Sequence, residues 1–310
     1  MRARPVSPDD LPAVTALQAA FDTHWFGAQE SDESEIKQVL ELAVPLDERS
    51  RALVADDGGL LAATWWWSPD DVFLSVRHDA PEVVRRDVFD DLLAWYAACG
   101  VHSVEALAGD DAFAAALDRH GWEHWLSSFE LLREVSPDWQ LPEPVWPDAV
   151  TVTDLGPDAE RATHELIYDR ARWATVPGHG NRGFEEWRHL FVAGEPADQQ
   201  VLAWRGEELV GAALGKIFSD GSGWVAQLAV PQELQKQGIG RALLLEAFRR
   251  RVAGGAKRLG LGVSAENSHA LGLYLGVGLQ VDREWRKYRP ASSAGATSER
   301  VAGGAGSAGS

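Results

Sequence analysis

A strand-like run that stops at a proline, a polar loop with two glycines and an apolar helix form the segment best suited to chemistry. The run is Trp224-Val225-Ala226-Gln227-Leu228-Ala229-Val230, closed by Pro231, and the loop is Gln235-Lys236-Gln237-Gly238-Ile239-Gly240-Arg241. Leu243, Leu244, Phe248 and Val252 then recur at near-helical spacing, which predicts a helix over about 239–252. A helix N-terminus offers backbone N–H groups and a partial positive charge, and that combination suits an anion. Glycines there let the backbone approach a phosphate and take conformations a side chain forbids. Between positions 232 and 258 stand seven bases (Lys236, Arg241, Arg249, Arg250, Arg251, Lys257, Arg258) and two acids (Glu233, Glu246). The loop would suit a polyanion such as a pyrophosphate. Taken alone, the two glycines also read as a tight turn before a surface helix. Two other phosphate loops are absent, for the chain has no GxxxxGK[ST] and no GxGxxG opening a first βαβ unit.

The loop resembles the Q/R-x-x-G-x-G/A signature of the GNAT N-acetyltransferases. It lies in that family's context, after a strand ending Leu228-Ala229-Val230-Pro231 and before a Leu-rich helix. A second block, Asn267-Ser268-His269-Ala270-Leu271-Gly272-Leu273-Tyr274-Leu275-Gly276-Val277-Gly278-Leu279, is similar to that family's N-x-x-A-x-x-L-Y-x-x-x-G-F. Leu279 stands where the family has Phe, a conservative departure.

The resemblance implies an acetyl-CoA cosubstrate, with site residues carried over by position. The backbone of Leu228, Ala229 and Val230 would pair with the pantetheine arm as an added strand. Backbone amides of Gln235, Lys236, Gln237, Gly238, Ile239, Gly240 and Arg241 would cradle the pyrophosphate, and Asn267 would hydrogen-bond the pantetheine. A neutral amine would attack the thioester directly, through a tetrahedral intermediate whose oxyanion takes the Val230 backbone N–H. Tyr274 would be the general acid for the departing thiolate. The general base is left open. Gln227 stands where many family members carry Glu, and an amide is no base. His179, Glu185, Glu186 and Glu266 are the other candidates, as is a water chain.

Stepwise along the chain, the two halves carry the same predicted order, βααβββαβα followed by strand, at a spacing of roughly 150 residues, which reads as a duplication. In the first half strands are expected near 3–6, 52–55, 60–67, 72–76, 103–107 and 127–132. Helices are expected near 9–21, 34–42, 81–98 and 111–120. In the second half strands fall near 150–155, 200–204, 209–217, 224–230 and 259–264, with a closing strand pair across 279–288. Helices fall near 159–173, 184–192, 239–252 and 267–275. Four prolines between 137 and 147 mark an extended break. The expected class is α/β with mixed sheets, as two tandem GNAT-like acyl-CoA N-acyltransferase domains. The boundaries are 1–134 for a degenerate GNAT-like domain, 135–148 for a Pro-rich linker, 149–290 for the catalytic domain and 291–310 for an Ala/Gly/Ser disordered tail.

Matching Gly121 to Gly278 puts Asp110 in the place of Asn267 and Leu117 in that of Tyr274. The segment 77–89, which matches the phosphate loop, has no glycine, so the first half is expected to bind no acetyl-CoA. The net charge of −18 is also divided unevenly: residues 1–150 hold 29 acids and 10 bases, and residues 151–310 hold 18 and 19. That balance disfavours nucleic acid and anionic membrane surfaces as partners. It favours a cationic small-molecule amine as acceptor. Trp65-Trp66-Trp67 is either core and interface filling or an aromatic wall for such an acceptor. No metal site is expected, for Gly121 ends the helix between His120 and His124. The lone Cys99 and the lack of a signal peptide or an apolar span fit a cytoplasmic protein, monomer or homodimer. The tandem layout also resembles that of mycothiol synthase, and a non-enzymatic acyl-CoA-binding regulatory module is the alternative from another class.

Overall fold

The computed structural model describes residues 1–291, so the expected tail at 291–310 lies, beyond Ala291, outside the described residues. The first half runs β1 (Arg2–Arg4), α1 (Leu11–Phe26), α2 (Glu33–Leu42), one turn α3 (Leu46–Arg49), β2 (Ser50–Val54), β3 (Leu60–Ser68) and β4 (Asp71–Val76). It continues with α4 (Glu82–Cys99), β5 (Val104–Leu107), α5 (Asp111–Arg119) and β6 (Trp122–Glu134). The second half runs β7 (Val150–Thr153), α6 (Glu160–Glu165), α7 (Phe184–Phe191), β8 (Val201–Arg205), β9 (Glu208–Ile217) and β10 (Ser222–Ala229). It ends with α8 (Ile239–Ala253), β11 (Arg258–Ser264), α9 (Ser268–Gly276) and β12 (Gln280–Pro290). The duplicated order expected from the sequence is therefore present in the elements.

Two compact units result, and they cut across the expected boundaries. Among the described residues, the first comprises 1–27, 43–126 and 285–291; the second comprises 28–42 and 127–284. In the first, β1-β2-β3-β4 form an antiparallel sheet. Leu60 to Trp65 of β3 are six consecutive buried residues, as a strand covered on both faces requires. α4 buries Val88, Phe89, Leu92, Leu93 and Tyr96, the i, i+4 stripe that points at one neighbour. Trp65 lies fully buried and stacks on Phe73 at 4.0 Å, while Trp66 packs on the core under Arg49. Trp65 and Trp66 thus belong to the packing of the first unit, Trp67 is half-buried, and none of the three lines the described cavities.

In the second unit the strand order is β6-β11-β10-β9-β8-β7. The hairpin β8–β9 turns at Arg205-Gly206-Glu207-Glu208, where Gly206 takes φ +63°, and Arg205 pairs with Glu208. α8 lies over β8, β9 and β10, burying Leu243, Leu244, Phe248 and Arg251. The fully buried Arg251 donates to the carbonyls of Trp224, Gln199 and Ala247, and desolvation pulls its guanidinium down to about 10.

The edges of both units are completed by strands from the other half of the sequence. Ser128–Glu134 of β6 pairs antiparallel with the whole of β11, and Trp285–Tyr288 of β12 pairs with β5. An edge strand left open is costly, and each crossing strand closes one. The closing strand pair expected across 279–288 is instead one strand, held extended where Arg283 pairs with Glu30 and Glu130. α2, read as part of the first domain, belongs to the second unit, where Gln38 Nε2 donates to the His189 carbonyl at 3.0 Å. The Pro-rich stretch is no free tether: Trp139, Leu141 and Trp146 pack on the second core, and Glu143 pairs with Arg249 at 2.6 Å. No described helix is long and apolar enough to cross a membrane.

Candidate active site

β10 and β11 run parallel and pair from Ser222–Arg258 to Val225–Leu261, then part. A bulge between Val225 and Gln227 accompanies the divergence. Leu228, Ala229 and Val230 on one side and Gly262, Val263 and Ser264 on the other border the opening, a cavity of about 590 Å³. Strands that separate leave ladder groups facing the gap, where an extended ligand can meet them.

At the head of α8, Gly238 takes φ +89°, a left-handed conformation that favours glycine, and no side chain caps the helix. The first N–H groups of a 15-residue helix thus face the cavity mouth with Lys236 and Arg241 alongside. The loop is held by its own side chains. Gln235 Nε2 donates to the Val230 carbonyl (3.1 Å), and Gln237 joins Glu233 and Arg205 (both 3.3 Å). Gln235, Lys236, Gly238, Gly240 and Arg241 border the cavity, whereas Gln237 does not and Ile239 is core.

The floor comes from α9. Asn267 is its N-cap, with Oδ1 accepting the Ala270 N–H at 3.1 Å, so its amide N–H₂ is the end offered to a ligand. Tyr274 lies seven residues on, two turns down the helix, 8% exposed and bordering the cavity. Burial pushes its phenol up to about 12, so it stays protonated at neutral pH.

Gln227 is buried away from this space, its Oε1 accepting from Trp187 Nε1 (2.8 Å) and its Nε2 donating to the Tyr168 hydroxyl (3.3 Å). Glu186 pairs with Arg182, and the exposed Glu185 and Glu266 border none of the cavity. His179 does border it, stacked on Trp173 at 4.3 Å and 22°. Sequence reasoning missed Trp173. The helix expected over 159–173 breaks into α6, a π-helical turn (Leu166–Arg170) and a 3-10 turn (Trp173–Thr175), and Arg172 takes φ +54°. That break puts Ala171 and Trp173 on the cavity wall. An aromatic just before a Gly-rich polar loop was the available signal.

This geometry has known counterparts. Residues 164–278 match the family model described as Acetyltransferase (GNAT) family. The fold is similar to a GCN5-related N-acetyltransferase from Sphaerobacter thermophilus (TM-score 0.74, 22% identity, covering 93% of this chain and 94% of that one). It is also similar to a tandem GNAT protein from the clavulanic acid biosynthesis pathway (TM-score 0.70, 13% identity, covering 93% and 97%). No curated protein matches the chain in sequence.

Proposed function

We propose, from the premise that residues 164–278 form a GNAT-family acetyltransferase domain, that this acyltransferase moves acetyl from acetyl-CoA to the primary amine of a small cationic molecule. The observation that carries the reading is the opening between β10 and β11, with the helix α8 at one end and Tyr274 in its floor. The cavity fits the cosubstrate's chemistry. Uncapped N–H groups, Lys236 and Arg241 suit the pyrophosphate, and the cavity-bordering backbone of Leu228–Val230 suits an extended amide chain. Asn267 would donate to the same arm.

Acetyl-CoA supplies an activated thioester. The chain's residues would do the rest. His179 takes a proton from the incoming ammonium, which frees the neutral amine to attack; of His179, Glu185, Glu186 and Glu266 it is the one that borders the cavity, which the exposed His269 also lines. The Val230 N–H lies one residue beyond the end of β10 and would donate to the oxyanion. Tyr274, kept protonated by burial, gives its proton to the leaving thiolate. The Trp173–His179 stack offers π faces to a ring or a second ammonium. No acid borders this cavity among the described residues, so the acceptor's positive charge rests on the acidity of the first half.

The test is thiol release from acetyl-CoA across a panel of amines. Turnover with polyamines or amino sugars is expected; turnover only with neutral or anionic acceptors would overturn the cationic assignment. Binding of acetyl-CoA with no turnover on any amine would favour a non-enzymatic acyl-CoA module.

A further inference from the structure

The first unit keeps its own version of the opening. β4 pairs only with β3 and β5 pairs with β12, so the consecutive strands β4 and β5 do not pair with each other. Between them lies a cavity of about 200 Å³, with Val72, Leu74 and Val76 on one side and Val104 and Ala106 on the other. It is the counterpart of the β10–β11 cavity. Asp110 caps α5 by accepting the Phe113 N–H at 3.1 Å, as Asn267 caps α9, and Gly121 and Gly278 both take positive φ.

The phosphate end has been lost. The loop after β4 contains no glycine, Pro81 occupies the N-cap of α4, and Glu82 opens that helix. A negative first turn disfavours an anion there. The walls have meanwhile become aromatic, lined by Phe21, Phe73, Phe89, Tyr96, Phe113 and Trp285. The polar lining groups are Gln18, His78, Glu105 and Asp110. Glu105 pairs with Lys287 at 3.2 Å, and desolvation, with His24 and Arg85 nearby, pulls His78 down to about 4, so it is neutral. Asp110 is left as the lining group that sets the charge preference, with Arg85 and His24 acting on it from outside the lining. Burial raises its carboxyl, the direction a bound cation would reverse.

We propose that this aromatic cavity of the first unit is a second small-molecule site, taking a monocyclic ring with a short ammonium-bearing arm whose charge meets Asp110. An apolar cavity of about 150 Å³ accommodates benzene, so the observed volume leaves room for the arm. The ring faces aromatic walls and the ammonium faces a carboxylate, in the more acidic half of the chain. The site does not depend on the acetyltransferase reading. One is read by heat of binding and the other by thiol release.

The test is isothermal titration of the full chain with phenethylamine, with 3-phenylpropionate as the anionic counterpart. Phenethylamine is expected to bind, and phenylpropionate to give no heat. Asp110→Asn keeps the cap, since Asn caps as well as Asp, and is expected to weaken binding at least tenfold at an unchanged melting temperature. Ala106→Phe, which fills the cavity, is expected to abolish binding, and Gly240→Trp in the second unit to leave it intact. Absence of phenethylamine binding, equal binding by Asp110→Asn, or loss of binding only in Gly240→Trp would each overturn the proposal.

Discussion

Tyr274 and His179 illustrate how differently two residues of one site are specified. Tyr274 is fixed by its helix, seven residues from the cap, and its burial keeps the proton on the phenol. Tyr274→Phe is expected to lower kcat by about 10²–10⁴-fold while leaving acetyl-CoA affinity within a factor of about two, read by thiol release and titration calorimetry. Because the phenol is held at about 12, the rate should not fall on its account as pH rises from about 8 to about 10. His179 is placed by a loop and a ring stack. His179→Gln is expected to lower kcat/KM about a hundredfold while leaving acetyl-CoA affinity within a factor of about two, read by thiol release and titration calorimetry.

At the scale of elements, α8 joins the proposed phosphate loop to the core of the second unit. Gly238→Val would force a β-branched residue to φ +89°, so the loop must shift; KM for acetyl-CoA is expected to rise at least tenfold with a smaller effect on kcat. Arg251, on the opposite end of the same helix, satisfies carbonyls inside the core. Arg251→Leu leaves those of Trp224 and Gln199 without that donor and is expected to cost about 3 kcal/mol, read by urea denaturation. In the first unit, His78 lies beside His24, Trp25 and Phe21, with Arg85 and Asp79 near. Its pKa is lowered on folding, so below the unfolded value of 6.5 the unfolded chain binds the extra proton. Stability from this group is therefore complete above 6.5 and is lost as pH falls toward about 4. The urea midpoint is expected to drop over that window, and to drop less in His78→Phe.

For the whole molecule, the crossing strands decide what can be separated. β11 takes its outer partner from residues 128–134, and β5 takes its partner from residues 285–288. Cutting within the Pro-rich stretch would strip both strands of a neighbour. A fragment of residues 1–134 and one of 149–310 are each expected to lack a cooperative melting transition, whereas co-expressed halves should recover one, measured by circular dichroism. The charge division follows the same plan. The near-neutral half holds the basic loop and α8, and the acidic half holds the aromatic cavity with Asp110.

The sequence by itself determined the repeated element order, the glycine loop at the head of α8, and the α9 block that places Asn267 and Tyr274. Each is local: periodicity, turn chemistry and a motif within about a dozen residues settle it. Only tertiary structure decided which strand pairs with which, for a period-2 pattern is the same whatever its partner. Hence the expected cut at 134 was displaced, and the linker proved to be packed. Gln227 and Trp173 changed places for a related reason. Gln227 is turned from the cavity by Trp187 and Tyr168, and Trp173 reaches it through a broken helix. Gln227's partners lie 40 and 59 residues away, and the strands and α9 that share Trp173's cavity lie more than 50 residues on, which no local pattern encodes.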